Sequence, residues 1–414
     1  MKRFHSFIAA ILCLMPALTH AQKYVGGDIS LLTAYEQAGV KYMDGDGKAV
    51  DDLLTYLKSD AVGWNAQRVR LFVDPQNASV NDKHSGVCQD LNYVAALGRR
   101  IKEAGFKFML DFHYSDSWAD PGKQTKPQTW SSASAEALAD TLYAYTRRCL
   151  QYLSAHGATP DFIQTGNEIS FGMLWPEAKV DAYHDANWNT FTAYLKNATR
   201  ACREVCPQAA IIVHTEQAAN IATTLNYYDR IQASGIDYDI IGLSYYPFWH
   251  ADLNNLDRLL TQLATRFASK KVQIVETAYY YQYQPTVGIT DYSALWPITP
   301  EGQAAFTRAL VSMLNKHGNV NGLYWWFPEE NGKDNTVIGG WINRGLWNNN
   351  TGRANPALYE LKAFLPASDG IAAIRTKEAS PSAGSWFSIG GICLNNAPHD
   401  GIYIRGGRKF AVKK

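Results

Sequence analysis

Short runs rich in β-branched and aromatic residues alternate with longer amphipathic segments along most of this 414-residue chain. Strands that alternate with helices form parallel sheets, because each helix carries the chain back to the start of the next strand. Eight such runs predict an α/β fold, a (β/α)8 TIM barrel with a short C-terminal β-appendage. The predicted strands are 25–30, 68–73, 106–113, 162–168, 210–215, 240–246, 272–276 and 322–327.

The segments between these strands have helical periodicity. Apolar residues recur at intervals of three and four, as at Leu138, Leu142, Tyr145 and Cys149. One face of each helix should therefore cover the barrel. The predicted helices are 51–59, 92–104, 133–156, 188–205, 253–267 and 300–317.

The predicted connections on the two ends of the barrel differ in length. Four long strand-to-helix loops, 114–130, 169–186, 279–299 and 328–354, carry many of the polar and aromatic residues, whereas the opposite turns are short. Active sites of such barrels lie at the carboxyl ends of the strands. This asymmetry indicates which end is functional.

Composition changes at both ends of the chain. Residues 1–21 combine Lys2 and Arg3 with an apolar stretch and a small-residue exit, which predicts a secretory signal peptide. Residues 22–365 form the predicted catalytic barrel, and residues 366–414 form a linker and a small β-hairpin tail. The tail is similar to those of exported Bacteroidota proteins, and both a sorting signal and a plain β-appendage fit it. We expect export to the periplasm, cell surface or exterior of a Gram-negative bacterium.

The charge and the hydropathy of the chain argue against nucleic acid and membranes as partners. The net charge of +1 provides no electrostatic footprint for nucleic acid or an anionic membrane. No stretch after the signal is apolar over the ~20 residues that a membrane span needs, so a soluble monomer is expected.

The cysteines that follow the signal are odd in number, which does not suit a disulfide scaffold. Cys202 and Cys206 are interpreted as two buried helix thiols in preference to a disulfide or half a metal site.

Two glutamates end predicted barrel strands. Glu168 closes the run 161–168, and Glu276 closes the run 271–276. Two carboxyl groups at one end of a barrel can flank a glycosidic bond, with Glu168 as proton donor and then base, and Glu276 as nucleophile. Either glutamate alone is as consistent with a structural ion pair.

Other strand ends carry residues suited to a sugar site. Asn167 could bind the 2-hydroxyl of a sugar, and Arg70 could orient Glu276 or form a structural ion pair. His113 and His214 lack the spacing of a metal site and are predicted to contact sugar, with a buried, hydrogen-bonded histidine as the alternative for either. Asp28, Tyr246 and Trp326 also end strands, and the loop residues Trp118, Trp249 and Trp347 are predicted sugar platforms.

Five segments resemble glycoside hydrolase family 53, the endo-β-1,4-galactanases, over about residues 24–365. The most specific is Leu110-Asp-Phe-His-Tyr-Ser-Asp-Ser-Trp-Ala-Asp-Pro-Gly-Lys-Gln124. The others, in the order expected for the family, are 26–30, 167–168, 241–250 and 274–279.

The resemblance implies that Glu168 is the acid/base, that Glu276 is the nucleophile, and that β-1,4-galactan of pectin side chains is the substrate. It implies sugar contacts by Asp28, His113, Trp118, Asp120, Asn167, Tyr246, Trp249 and His250. Some bacterial relatives bind calcium after the seventh strand, but loop 279–288 lacks an acidic cluster. No metal or cofactor is therefore expected.

Two alternatives keep the barrel but change the function. A mannanase or cellulase would retain both glutamates and differ in the groove. A non-catalytic glycan-binding protein would bind galactan without cleaving it.

Overall fold

The computed structural model describes residues 22–181, 184–333 and 343–366 and the strands 386–388, 393–394, 401–405 and 408–412. The predicted signal peptide, 1–21, and most of the predicted linker lie outside the described residues. The chain divides into two compact units between Leu365 and Pro366.

Eight parallel strands form a closed barrel in the first unit. Each strand pairs with its neighbours in chain order, and the first strand also pairs with the last. Each predicted strand overlaps an observed one, so the predicted (β/α)8 fold is confirmed. The strands are β1 (Tyr24–Asp28), β2 (Ala66–Leu71), β3 (Lys107–Phe112), β4 (Phe162–Thr165), β5 (Ala210–Thr215), β6 (Ile240–Tyr245), β7 (Lys271–Thr277) and β8 (Val320–Trp326).

The helices begin where the sequence provides capping residues. Asp52, Asp90, Ser134, Asp252 and Thr299 each accept a backbone N–H bond from the first turn, which satisfies a donor that the helix leaves open. The α-helices are Leu32–Gln37, Leu53–Lys58, Val80–His84, Leu91–Glu103, Ala135–Ala155, Trp188–Val205, Ile221–Ala233, Pro247–His250, Leu253–Arg266, Pro300–Leu314 and Ala357–Glu360. Short 3-10 helices span Pro75–Asn77, Gln128–Trp130, Ile169–Phe171, Asp185–Asn187, Gln217–Ala219 and Leu361–Phe364.

Two groups of buried side chains hold the barrel together. The larger group joins the outward faces of the strands to the apolar faces of the helices. The smaller group takes one residue from each of seven strands, so it fills the barrel interior: Ala66, Met109, Phe162, Ile212, Ile240, Val275 and Tyr324. This apolar layer supports the polar residues nearer the carboxyl ends of the strands.

Short hairpins and a tail sheet complete the described structure. Tyr42–Met43 pairs with Ala49–Val50, and Gly172–Met173 pairs with Ala178–Lys179. The tail contains the predicted hairpin, Gly401–Arg405 with Arg408–Val412, but the sheet is larger than predicted. Its further strands are Trp386–Ser388 and Cys393–Leu394, in an antiparallel sheet of four strands.

The thiols in the described part of the first unit are free. Cys202 and Cys206 are both buried and unbridged, as predicted, and Cys88 and Cys149 are also free. Within the described ranges, no helix is long and apolar enough to cross a membrane.

Candidate active site

A cleft of about 580 Å³ lies at the carboxyl ends of the barrel strands, a size typical of ligand sites. Parallel strands bring their carboxyl ends to one face, so residues far apart in sequence meet there. The lining residues are Asp82, Ser85, His113, Trp118, Ala119, Asp120, Pro121, Lys123, Asn167, Glu168, Glu216, Tyr246, Trp249, His250, Glu276 and Trp326.

Glu276 lies within β7 and is held by two donors. Nη2 of Arg68 is 3.0 Å from its Oε1, and the hydroxyl of Tyr246 donates to its Oε2 at 2.8 Å. The side chain is only 8% exposed. Both donors favour the ionised carboxylate and fix its orientation.

Glu168 is held by a ring of hydrogen bonds. Its backbone N–H points at Nδ1 of His214 at 3.3 Å, and Oδ1 of Asn167 lies 3.1 Å from the same nitrogen. Nε2 of His214 is hydrogen-bonded to the hydroxyl of Ser244 at 2.9 Å, and that hydroxyl donates to Glu168 Oε1 at 2.6 Å. Burial lowers the pKa of His214 well below its usual value, which keeps the ring neutral.

The two glutamates differ in electrostatic surroundings. Burial raises the pKa of Glu168 well above its ordinary range, and the charges of Glu276 and Glu216 raise it further. Burial also raises the pKa of Glu276, but Arg68 and the Tyr246 hydroxyl oppose that rise. Glu168 is thus the better proton donor and Glu276 the better carboxylate.

A buried charge network extends beneath Glu276. Arg68 is bound by Asp28 at 2.7 Å and by Asp111 at 2.8 Å, in addition to Glu276. The second oxygen of Asp28 binds Arg70 at 2.7 Å. Since Arg68 has no exposed surface, water screens its charge little, and it interacts more strongly with the surrounding carboxylates than it would at the protein surface.

Similarity to known proteins agrees with this geometry. Residues 24–364 match the family model described as glycosyl hydrolase family 53. The chain belongs to glycosyl hydrolase family 53.

Two curated proteins and one solved structure illustrate what this family 53 member is similar to. It is 33% identical to the probable arabinogalactan endo-β-1,4-galactanase A of Aspergillus terreus, over 78% of this chain and 90% of that protein. It is 30% identical to the endo-β-1,4-galactanase of Bacillus subtilis, over 73% of this chain and 69% of that protein. The solved family 53 catalytic domain of Ignisphaera aggregans superposes with a TM-score of 0.73 at 32% identity, covering 84% of this chain and 98% of that domain.

Eight predicted sugar-contact residues line the cleft of this family 53 enzyme beside the two glutamates. They are His113, Trp118, Asp120, Asn167, Tyr246, Trp249, His250 and Trp326. Asn167 is fixed at both ends, because its Oδ1 accepts from Arg68 at 3.0 Å and its Nδ2 donates to the carbonyl of Ala119 at 2.9 Å. Only the second Nδ2 hydrogen remains for a sugar hydroxyl.

The two cleft histidines differ in what they can offer a ligand. Both ring nitrogens of His113 are engaged, with Nδ1 accepting from Ala119 N–H at 3.0 Å and Nε2 3.1 Å from Asp111. His250 Nδ1 accepts from Tyr246 N–H at 3.0 Å, and burial lowers the pKa of His250 to about 4. His250 is therefore neutral at neutral pH with its proton on Nε2, where it can donate to a hydroxyl.

Four of the predicted sugar-contact residues are fully buried and do not line the cleft: Asp28, Arg70, His214 and Trp347. Trp347 packs in the core, with its ring 5.1 Å from that of Tyr42 and its Nε1 bonded to the carbonyl of Met43. Asp28 and His214 support the cleft from below.

The predicted role of Arg70 belongs to Arg68. Strand β2 begins two residues earlier than predicted. Arg68 and Arg70 lie on the same face of this strand, but it is the side chain of Arg68 that reaches Glu276. The guanidinium of Arg70 binds Asp28 and lies 4.7 Å from the ring of Trp118. It supports that cleft residue from behind by a cation–π contact.

Sequence reasoning also missed Ser244 and Glu216. Ser244 stands one position before the end of β6, and Glu216 directly follows β5. A search of every strand end for polar residues would have included both. Ser244 lies within the family-like segment 241–250 but was not singled out there, and Glu216 lies outside the segments that carry the resemblance.

Among the described residues, no group of three or more histidine, cysteine, aspartate and glutamate side chains is arranged to hold a metal ion. The acids around Glu276 are instead paired with Arg68.

Proposed function

We propose that this protein is a retaining endo-β-1,4-galactanase that cleaves the galactan side chains of pectin. The observation that carries the proposal is the unequal pair of carboxyl groups in one cleft. Arg68 and Tyr246 support the charge of Glu276, whereas burial and the neighbouring acids raise the pKa of Glu168. The substrate follows from the galactanase names of the two relatives in Aspergillus terreus and Bacillus subtilis.

In the first step, Glu276 attacks the anomeric carbon of a galactosyl unit while Glu168 gives its proton to the leaving oxygen. The chain on the departing side leaves as an alcohol, and the retained chain forms an ester with Glu276. The bond from Arg68 to Glu276 orients the attacking oxygen, and burial removes competing water from the carboxylate.

In the second step, Glu168 is ionised and acts as a base. It takes a proton from a water molecule, which attacks the anomeric carbon and releases Glu276. Ionisation of Glu168 becomes easier at this stage, because the ester has removed the charge of Glu276 that raised its pKa. Two inversions leave the product in the β configuration.

The aromatic walls suit a neutral polysaccharide. Trp118, Trp249 and Trp326 line the cleft, and aromatic faces pack against the C–H bonds of sugar rings. Trp249 is 39% exposed, so it offers a platform that needs no rearrangement.

Kinetics of the two glutamate variants test the mechanism. Glu276→Ala should abolish turnover of galactan and of aryl β-galactobiosides, whereas Glu168→Ala should keep cleavage of aryl substrates, whose leaving groups need little protonation. Azide should restore turnover in both variants, and proton NMR of the wild type should show β product first. The exposed Glu103→Gln is the control and should match the wild type.

Three results would contradict the proposal in different ways. Initial α product would exclude the retaining mechanism. Faster reducing-end release from β-1,4-mannan or cellulose than from potato galactan would indicate a mannanase or cellulase. Galactan binding without turnover would indicate a glycan-binding protein.

Export completes the proposal. The features of residues 1–21 support secretion, and N-terminal sequencing of protein secreted by a Gram-negative host should begin at Gln22. An intact Met1 on protein retained in the cytoplasm would contradict it.

A further inference from the structure

Glu216 is a cleft residue that the two-step mechanism does not use. It directly follows β5, lines the cleft beside Glu168, and is only 7% exposed. Its Oε2 accepts from the hydroxyl of Ser170 at 2.8 Å, and its Oε1 accepts from Gln217 Nε2 at 2.5 Å. Since Ser170 is two residues from Glu168, this bond fixes Glu216 relative to the proton donor.

Hydrogen bonds place Glu216 and Asp120 on one side of the cleft. Ser170, two residues after Glu168, donates to Glu216. Nε2 of Gln124 donates to the carbonyls of Asp120 at 3.3 Å and of Asn167 at 2.8 Å, which ties the Asp120 loop to the segment that carries Glu168. The charges of both acids also act on Glu168. Glu216 and Asp120 therefore lie beside the proton donor, which faces the part of the substrate that leaves.

The chemistry of these two side chains suits a neutral sugar. A carboxylate can accept about four hydrogen bonds, and Glu216 receives two from the residues named above. Asp120 Oδ1 accepts from the backbone N–H groups of Gly122 and Lys123 at 2.7 and 3.0 Å. Each carboxylate keeps capacity for a sugar hydroxyl, and such charge-assisted bonds are strong in a buried site.

We infer that Glu216, together with Asp120, binds the hydroxyl groups of the leaving-group sugar and so determines how efficiently the enzyme cleaves sugar–sugar bonds. The inference rests on the proposed roles of Glu168 and Glu276. It concerns the sugar on the departing side, whereas the aromatic residues Tyr246 and Trp249 are grouped near Glu276.

The test compares two leaving groups in the variant Glu216→Gln. Cleavage of β-1,4-galactotetraose expels a sugar, whereas cleavage of nitrophenyl β-galactobioside expels a phenol without sugar hydroxyls. We expect kcat/KM to fall about ten- to hundredfold on the tetraose, by loss of hydrogen bonds to a charged acceptor. It should stay within about twofold on the aryl substrate, since the interactions with the retained sugars are unchanged.

Conditions and controls separate this from other effects. Each variant is assayed at its own pH optimum, because removal of the Glu216 charge also lowers the pKa of Glu168. Glu204→Gln, an exposed carboxyl variant on the helix Trp188–Val205, should behave as wild type on both substrates. Asp120→Asn should show the same selective loss, and it provides a second variant if Glu216→Gln does not fold.

The outcomes are distinct. Equal losses on both substrates, or no loss on either, would overturn the inference. If the wild type prefers a manno- or cello-oligosaccharide, the galactanase proposal fails, but the same comparison with that oligosaccharide and its aryl glycoside still tests Glu216.

Discussion

At the level of single residues, the backbone around the cleft is strained. Glu168 itself has φ 48°, a left-handed conformation that a residue other than glycine adopts at a cost of about 1–3 kcal/mol. Three other non-glycine residues with positive φ directly follow cleft residues: Tyr114, Ala251 and Phe327. Surrounding hydrogen bonds offset this strain, and at Glu168 one of them is the contact of its backbone N–H with His214.

Ser244 provides a test of how the acid/base is tuned. Its hydroxyl donates to Glu168 Oε1 at 2.6 Å and lowers the pKa of Glu168 against the effect of burial. Ser244→Ala should therefore raise this pKa, so that the alkaline limb of the kcat/KM profile on galactan moves to higher pH. Ser154→Ala, on an outer helix, should leave the profile unchanged. A limb that stays in place or moves to lower pH would contradict this role.

Two tryptophans with the same predicted function should now behave differently. Trp249 is 39% exposed in the cleft and Trp347 is 0% exposed in the core. Trp249→Ala should weaken binding of galacto-oligosaccharides by about 1–3 kcal/mol with little change in Tm. Trp347→Ala should cost about 3–5 kcal/mol of folding stability. Calorimetric titration and denaturant unfolding measure the two effects, and the reverse assignment of losses would refute this division.

At the level of elements, the helix Pro300–Leu314 connects two loops at the carboxyl face. Gln303, in its first turn, is fully buried, and its Nε2 donates to the carbonyls of Tyr279 and Gly345 at 2.8 and 3.0 Å. Those carbonyls belong to the connections that follow β7 and β8. A shift of this helix would therefore be transmitted to the loops that follow the nucleophile strand and its neighbour.

Gly302 tests how closely this helix approaches its preceding turn. A Cβ at Gly302 would lie 1.7 Å from the carbonyl oxygen of Pro297. Alanine normally favours a helix over glycine by about 1 kcal/mol, but here the clash should reverse the sign and cost about 1–3 kcal/mol or more. Gly318→Ala meets no atom within 4 Å and serves as control. Urea unfolding that shows Gly302→Ala to be neutral or stabilising would contradict the packing.

At the level of the whole molecule, a buried acid should make stability depend on pH. Burial and the charge of Asp28 raise the pKa of Glu329 from 4.5 to about 8. Its Oε1 accepts from Leu31 N–H at 2.8 Å, and its Oε2 has no hydrogen-bond partner among the described residues. Because the folded-state pKa is the higher one, the folded protein holds this proton more tightly, and stability falls as pH rises from 4.5 to 8.

Glu329→Gln should remove that pH dependence. The amide oxygen can still accept from Leu31, and no charge forms. Between pH 4.5 and 8, the free energy of unfolding of the variant should therefore rise relative to that of the wild type by a few kcal/mol. Glu330→Gln is the contrasting neighbour. Both oxygens of Glu330 accept backbone N–H bonds, from Asn343, Arg344 and Gly345, so its replacement should destabilise. Parallel wild-type and Glu329→Gln unfolding curves across this pH range would disprove the assignment.

Sequence alone was sufficient for the order of the eight strands, for six of the helices and for the catalytic pair as a hypothesis, whereas the helix Ile221–Ala233 between β5 and β6 was missed. Periodicity marks the predicted elements, and capping residues such as Asp52 and Ser134 mark where helices begin. The carboxyl ends of parallel strands share one face in any such barrel, so Glu168 and Glu276 had to meet there once the fold was assigned.

Tertiary structure decided which neighbours those glutamates have. Period-two alternation places Arg68 and Arg70 on the same face of β2. The position of β2 along the barrel axis then decides that Arg68 pairs with Glu276, whereas Arg70 pairs with Asp28. Composition likewise could not distinguish the buried Trp347 from the exposed Trp249. Hydrogen-bond partners and burial depend on segments that are distant in sequence, whereas periodicity reports only on the local chain. The contacts of Ser244 and Glu216 with the acid/base region therefore appear only in the folded protein.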